Sequence, residues 1–193
     1  MDRGDVLTDG VLDLLAETGV GGVTMRRLAD RLGCSVGALT NHWRTRGRIL
    51  HVAVNQFRHR WNGLLVPRCW RDGISGLLPA DDEEVEDCQV WLAFCELAKS
   101  DATVAECVAA QRKDEHDLVR LVLRDRDRGD EPTADAVLAL VDGLRLAVSS
   151  PHPMPVARAR AALDQQLGLM GLISEQQGGR RVLDHPRHVG EES

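Results

Sequence analysis

The sequence predicts an all-α protein, in which a small N-terminal head precedes a larger helical body. Apolar residues recur every three or four positions along most of the 193 residues, which is the period of an amphipathic helix. Glycine, proline, serine and threonine interrupt this pattern where helix ends are expected. The sequence shows neither the alternating pattern of a strand nor an internal repeat. The pattern therefore favours about nine helices and no sheet.

The first three predicted helices are short and form the head. Residues 5–18 make an apolar-faced first helix, and a glycine-rich turn follows it. Thr24 and Ser35 stand where a side-chain oxygen can cap the second and third helices. The LGCS stretch at 32–35 joins these two helices, and Gly33 permits a tight turn between them. Such a pair is a helix-turn-helix, and its second member is the reader helix.

The remaining segments predict a helical body of six elements. Helical periodicity or end signals mark residues 46–65, 68–78, 80–101, 102–124, 133–149 and 155–173. The proline-rich SSPHPMP stretch must be a turn, since proline cannot propagate a helix. We therefore divide the chain into a head, residues 1–48, and a helical body, residues 49–175. The polar, glycine-rich residues 176–193 are expected to be a disordered tail.

The charge is unevenly distributed along the chain. The net charge is −6, yet residues 21–48 hold six arginines and only one acid. A local basic patch on an acidic body is the electrostatic footprint of a site-specific DNA binder. A solvated charged face is the alternative interpretation, and charge alone does not separate the two.

Other compositional features bear on location. The sequence contains no apolar run near the roughly 20 residues of a membrane span, and the N-terminus lacks the pattern of a secretory signal. Five irregularly spaced cysteines make no disulfide framework. We therefore expect a cytoplasmic protein with reduced thiols that makes no membrane contact.

The head resembles the TetR family of regulators. The resemblance runs without a gap through VLDLLAETGVGGVTMRRLADRLGCSVGALTNHWRTRGRIL, residues 11–50. Two stretches of the body, WLAFCELAKSD and LALVDGLRLAV, resemble the betaine-regulator-like branch of that family. The resemblance implies a repressor with a DNA-binding head, residues 1–48, and a ligand-binding and dimerisation body, residues 49–175. Such a repressor binds double-stranded operator DNA as a homodimer and responds to a small-molecule effector.

The resemblance also implies which residues contact DNA. Thr24 and His42 match phosphate-binding positions, and Arg46 matches a basic position at the start of the fourth helix. Arginines on both sides of the reader helix would neutralise phosphates. The full predicted set is Thr24, Arg26, Arg27, Ser35, Val36, Ala38, Thr40, Asn41, His42 and Arg46.

One residue of this set departs from the family pattern. Thr40 stands where the family usually has tyrosine, so its reach toward a phosphate is shorter. The change is expected to cost about 1 kcal/mol of binding free energy, the net worth of one hydrogen bond. Asn41 could compensate by contacting a phosphate or an adenine edge. Trp43 replaces a phenylalanine and is expected to anchor the reader helix in the core.

The body supplies two further predictions. Aromatic residues on the central helices of this family often line the effector pocket, which leads to a candidate pocket of Trp61, Trp91, Phe94 and Cys95. The last two helices carry long apolar stripes, so we expect them to pair across a twofold axis as a four-helix bundle. The predicted interface residues are Val137, Val141, Leu144, Val148, Leu163, Leu167 and Met170.

Other functions are weighed against this interpretation. The main alternative is an all-helical binding or scaffold protein whose helix-turn-helix does not meet DNA. Cys34, Cys88 and Cys95 could form a thiol sensor, but small buried hydrophobes are the more frequent use of such residues. No catalytic motif or zinc-ligand spacing occurs. We therefore predict no enzyme activity, no cofactor and no metal site.

Overall fold

The computed structural model of the chain describes residues 3–81, 84–124 and 129–173, without the side chains of residues 3–5 and of His42. The predicted tail at 176–193 lies outside the described residues, as does the middle of the predicted loop at 124–132. All regular secondary structure in the described part is helical, which confirms the predicted fold class. Eight α-helices are present: α1 Arg3–Thr18, α2 Met25–Arg31, α3 Val36–Trp43, α4 Arg46–Asp72, α5 Val85–Leu97, α6 Ala102–Leu123, α7 Glu131–Val148 and α8 Val156–Leu169.

The eight helices of the described residues are close to the predicted number of about nine, and the difference arises because α4 is longer than the sequence suggested. It continues through Pro67 to Asp72, where a break was expected since proline lacks an N–H and crowds the preceding turn. The predicted helix at 68–78 is therefore the end of α4 followed by a short 3-10 turn, Gly73–Leu77. The two parts of that segment are not separate helices.

Capping side chains fix where the short helices begin. The hydroxyl oxygens of Thr24 and Ser35 accept hydrogen bonds from the backbone N–H groups of Arg27 and Ala38, at 3.2 and 3.1 Å. Both caps confirm the sequence prediction, and each satisfies a backbone donor that the helix itself leaves without a partner. Thr45 caps α4 in the same way, through the N–H of Arg48.

The long helix α4 connects the head to the body. It packs against α1 on the head side and against α6 and the 3-10 turn on the body side. Leu50, Ala53 and Phe57 are buried along this helix. Because one continuous apolar core runs from α1 to α8, a displacement within the body can reach the head through packed side chains. None of the described helices has both the length and the apolar character needed to cross a membrane.

Candidate functional site

The turn between α2 and α3 has the geometry of a helix-turn-helix. Gly33 adopts φ 63°, a backbone region that glycine occupies without strain. The next residue, Cys34, returns its N–H to the carbonyl of Ala29 at 3.0 Å. Leu39 is buried and attaches the inner face of α3 to the core. Cys34 itself is exposed, which corrects the expectation that it is a buried hydrophobe.

The outer face of α3 is exposed and built from small side chains. Val36, Ala38 and Asn41, three of the predicted groove-facing or base-contacting residues, are all exposed. Small side chains allow the helix backbone to approach a groove closely. Thr40 is also exposed, but its hydroxyl donates a hydrogen bond to the carbonyl of Val36 at 2.8 Å. Its hydroxyl is therefore engaged with its own helix in the absence of DNA.

Four arginines surround this face without ion-pair partners among the described side chains. Arg26 and Arg27 lie on α2, and Arg44 and Arg48 lie just after α3; all four are exposed. Arg44 also has a backbone φ of 60°, a region that residues other than glycine rarely adopt. Arg44 and Arg48 were missing from the predicted contact set, although their position directly after the reader helix was the available signal. Together these four residues form what we call the arginine rim.

Two other head arginines are engaged in contacts with neighbouring parts of the protein. Arg31 pairs with Asp13 at 3.1 Å and with Glu17, both on α1. Arg46, a predicted DNA contact, donates from Nε to the carbonyl of Val23 at 2.8 Å. These contacts join α2 to α1 and the start of α4 to the turn before α2. Through its Nε, the half-buried side chain of Arg46 is held against the turn before α2.

Trp43 packs against the core from the end of α3, as expected for an anchor of the reader helix. The side chain of His42, the predicted phosphate ligand, lies outside the described residues. The head thus presents an anchored helix with small exposed side chains, which the arginine rim flanks on both sides.

The body contains a buried ion pair that the sequence analysis did not find. Arg145 of α7 and Glu115 of α6 have 0% and 1% exposure, and their charged groups lie 3.0 Å apart. Arg145 also donates to the carbonyl of Leu77 at 2.9 Å, and Trp61 donates from Nε1 to Glu115 at 3.0 Å. Arg145 and Asp142 are the two charged residues of the mostly apolar stretch LALVDGLRLAV, and a charge in such a stretch was the signal that could have revealed Arg145.

The environment of Glu115 fixes its charge. Burial by itself would raise the pKa of this carboxyl group. The guanidinium of Arg145 and the hydrogen bonds from Arg145 and Trp61 outweigh burial, so the pKa lies below its ordinary value. The pair is therefore ionised at neutral pH.

A second arginine, Arg112, lies beside this pair but nearer to the surface. Its guanidinium is 5.2 Å from the ring centroid of Trp91 and bonds Asp142 at 2.9 and 2.6 Å. The Oε2 atom of Glu115 lies 3.6 Å from Nη1 of the same guanidinium. About a third of the Arg112 side chain is exposed. Arg112 and Asp142 also line an open groove of about 550 Å³ between α6 and α7.

The predicted pocket residues lie next to these charged groups. Trp61, Trp91 and Phe94 are buried, and Cys95 is half-buried. Phe57 stacks on Trp61 with ring centroids 5.3 Å apart. The arginines occupy the faces of both tryptophans, with Arg145 5.3 Å from the Trp61 ring. The side chains predicted to line a pocket are therefore in contact with other groups, and none of the four lines the α6–α7 groove.

The buried cysteines have the chemistry of structural residues. Burial raises the pKa of Cys69 to about 12 and those of Cys88 and Cys95 to about 11. A thiol with a raised pKa is a poor nucleophile at neutral pH. This environment disfavours a thiol sensor at Cys88 and Cys95.

The residues predicted for a dimer interface lie in the core of the single chain. Val137, Val141, Leu163 and Leu167 are buried, as are Leu144 and Val148, and Met170 is half-buried. They face inward because α7 packs on α5, α6 and α8, and α8 packs on α7 and on the 3-10 turn. The chain itself therefore buries the apolar stripes that suggested an interface. An interface between copies through these helices has to use their outer faces.

A helix-turn-helix with an exposed, arginine-rimmed reader helix on a helical body defines the class of helical DNA-binding regulators. Residues 7–53 match the family model described as bacterial regulatory proteins, tetR family. Residues 70–170 match the model described as BetI-type transcriptional repressor, C-terminal. The chain therefore belongs to the TetR family and is a DNA-binding transcriptional regulator.

Individual relatives agree with this assignment. The HTH-type transcriptional regulator PksA of Bacillus subtilis (strain 168) is 26% identical over 152 residues, which cover 69% of this chain and 72% of that protein. A transcriptional regulator from Rhodococcus sp. Rha1 is 27% identical with a TM-score of 0.75, covering 87% of this chain and 95% of that one.

A second solved structure shares the fold alone. A putative transcriptional regulator from Saccharomonospora viridis in complex with choline is 18% identical with a TM-score of 0.75, covering 86% of this chain and 95% of that one.

The TetR family consists of transcriptional regulators, which are generally not enzymes.

Proposed function

We propose that the protein is a cytoplasmic, homodimeric repressor that binds a palindromic operator and is released by a small-molecule effector. The observation that carries the proposal is the arginine rim. Arg26 and Arg27 precede α3 in the sequence and Arg44 and Arg48 follow it, and all four are exposed and lack ion-pair partners among the described side chains. Cations in this arrangement can neutralise phosphates on both walls of a groove that α3 enters.

The operator prediction can be tested by selecting bound sequences from a random duplex library. A twofold dimer presents two reader helices, so the selected sites should contain two inverted half-sites one helical turn, or a multiple of it, apart. Asn41→Ala, on the exposed face of α3, should relax the preference at one position of each half-site. Selected sites with a single half-site would contradict the dimeric mode, and recovery of no consensus would support a scaffold role.

The outer faces of α7 and α8 support a homodimer. On α7, exposed residues recur at a helical spacing and are mostly small: Ala136, Ala139, Gly143 and Leu146. On α8, Ala157 and Ala161 are exposed in the same way, and Leu169 is 75% exposed. Small side chains allow helices to pack closely, and two such adjacent helices can meet their copies in a four-helix bundle.

The dimer prediction is tested with Leu146→Glu, since Leu146 is 59% exposed on that face. A charge there should be tolerated by the folded chain and should shift the protein toward monomer in light scattering. Leu64→Glu is the matched control, because Leu64 is exposed on α4 and should leave the dimer intact. A Leu146→Glu protein that remains dimeric at low micromolar concentration would contradict this interface.

The body supports the effector part of the proposal. It concentrates aromatic rings, two arginines and two carboxylates between α4 and α7, on helices that pack against the helix leading to the head. An effector that prefers one arrangement of these groups can favour a head spacing that misfits the operator. The S. viridis regulator, which shares the fold, is in complex with choline, and this supports small-molecule binding by a body of this type.

A further inference from the structure

The two arginines of the body differ in how firmly they are held. Arg145 is fully buried and is fixed by Glu115 and by two hydrogen bonds to one backbone carbonyl. Arg112 is partly exposed and opens onto the α6–α7 groove. All of its partners are side chains: the carboxylates of Asp142 and Glu115 and the ring of Trp91. Arg112 can therefore leave its position without breaking a hydrogen bond to the backbone.

The position of the Arg112 guanidinium has a defined chemistry. Its two terminal nitrogens meet the two oxygens of Asp142 at 2.9 and 2.6 Å, which is the fork geometry of a bidentate pair. The same guanidinium lies over the Trp91 ring at 5.2 Å, within the range of a cation–π contact. The surroundings of Arg112 therefore fit a positive charge that carries two coplanar N–H donors.

The charge balance of the site requires a cation there. With Arg112 in place, two carboxylates, Glu115 and Asp142, face two guanidinium groups, Arg112 and Arg145. If Arg112 moves into solvent, one negative charge is left without compensation in a half-buried site, which is costly. A neutral molecule does not restore the balance, whereas a monocation does.

We propose that Arg112 is an exchangeable internal ligand, and that the effector of this regulator is a guanidinium or amidinium compound. This compound enters from the α6–α7 groove, displaces Arg112 from Asp142 and Trp91, and extends along Leu138, which lines the same groove. The inference rests on the proposed effector function of the body. The effector of that function would bind at the α6–α7 groove, belong to the guanidinium or amidinium compounds and displace Arg112.

The probe is benzamidine, an aryl amidinium, titrated into the full-length protein by calorimetry in the absence of DNA. Benzamide is its neutral isostere, and phenyltrimethylammonium carries the charge without N–H donors. We expect saturable binding of benzamidine and at least tenfold weaker binding of the other two. Equal binding of benzamide would overturn the charge argument, and equal binding of the ammonium compound would overturn the bidentate argument.

Two substitutions predict opposite changes in affinity. Arg112→Met removes the internal competitor, so benzamidine should bind about tenfold more tightly. Asp142→Asn removes the bidentate partner and should weaken binding at least tenfold, while Asp117→Asn, on the exposed side of α6, should leave binding unchanged. Affinity that Arg112→Met does not raise, or no saturable binding to either protein, would overturn the proposal. If Asp142→Asn fails to fold, the Arg112→Met result alone still decides it.

A second readout separates this inference from the function on which it rests. Benzamidine should lower the affinity of wild-type protein for its selected operator, and the concentration at half effect should follow the calorimetric dissociation constant. Operator binding that is normal but indifferent to saturating benzamidine would overturn the effector assignment and leave the regulator function intact. A protein that binds benzamidine yet no DNA would contradict the proposed function instead.

Discussion

Arginine has different roles in the head and in the body of this protein. In the head, Arg26, Arg27, Arg44 and Arg48 are exposed around the reader helix. In the body, Arg145 has no exposed surface and contacts both a carboxylate and a backbone carbonyl. An exposed arginine contributes little to the stability of the fold but remains available to a phosphate, whereas a buried one is required by its partner. Substitutions in the two regions should therefore affect different measurements.

The largest effect is expected from Arg145→Met. Removal of one partner leaves Glu115 buried and uncompensated, which should lower the free energy of unfolding by about 3–5 kcal/mol. Urea unfolding measures this directly, and Arg71→Met at an exposed surface pair should cost much less, because exposed ion pairs contribute little to stability. The double variant Arg145→Met/Glu115→Leu should be more stable than Arg145→Met alone. A loss below 1 kcal/mol for Arg145→Met would show that the pair is not required.

Acid should weaken the same pair. The pKa of Glu115 is depressed in the folded state, so its stabilising contribution is complete above the pKa of the unfolded chain and is lost as the pH falls toward the folded value. Below the ordinary glutamate pKa of 4.5, the stability difference between wild type and Glu115→Gln should shrink by about 1.4 kcal/mol per pH unit. Urea unfolding at several pH values tests this, and a constant difference down to pH 3 would contradict it.

In the head, substitutions should change DNA binding rather than folding. Arg26→Ala and Arg27→Ala should each weaken operator binding by about 1.5–3 kcal/mol, as for a charge-assisted hydrogen bond, and reduce the slope of log affinity against log salt by about 1. Unfolding free energies should stay within about 0.5 kcal/mol of wild type.

The control for these variants is Arg31→Ala, because Arg31 pairs with Asp13 and Glu17 inside the head. It should leave the salt slope unchanged. If Arg31→Ala changed the slope of log affinity against log salt and Arg26→Ala and Arg27→Ala did not, the assignment of contact and structural arginines would be reversed.

The smallest expected effect is at Arg44, where stability and function should change in opposite directions. Glycine tolerates φ 60° without strain, so Arg44→Gly should raise the free energy of unfolding by roughly 0.5–1 kcal/mol while it weakens operator binding. Arg48 lies in the first turn of α4. Because glycine is a poor helix former, Arg48→Gly should instead lower the free energy of unfolding by about 1 kcal/mol. Equal destabilisation by both variants would mean that Arg44 is not strained.

The contrast between the two regions also explains what could be predicted from the sequence. Thr24, Ser35 and Gly33 act locally, through capping and a tight turn, so their roles were found without a structure. The pairing of Arg145 with Glu115 joins residues 30 positions apart, and no local signal specifies which buried groups meet. The interface prediction selected α7 and α8 but chose their inner faces, because an apolar stripe does not reveal whether the same chain or a copy covers it.

Arg46 illustrates the same limit at shorter range. Its position among the head arginines suggested a DNA contact, but its Nε donates to the carbonyl of Val23, 23 residues away in the sequence. Charge density along the sequence indicated the basic patch, but it could not indicate which arginine a tertiary hydrogen bond holds against another part of the head.

The most direct test of the central claim is fluorescence anisotropy with a duplex from upstream of the gene of this protein and an unrelated duplex of equal length, each at about 50 and 200 mM salt. Eight rim arginines in a dimer predict tight binding to the upstream duplex alone, weakening by roughly 10³-fold or more between the two salt concentrations. Equal and weak binding to both duplexes, with little dependence on salt, would contradict the claim that this head is a site-specific DNA reader.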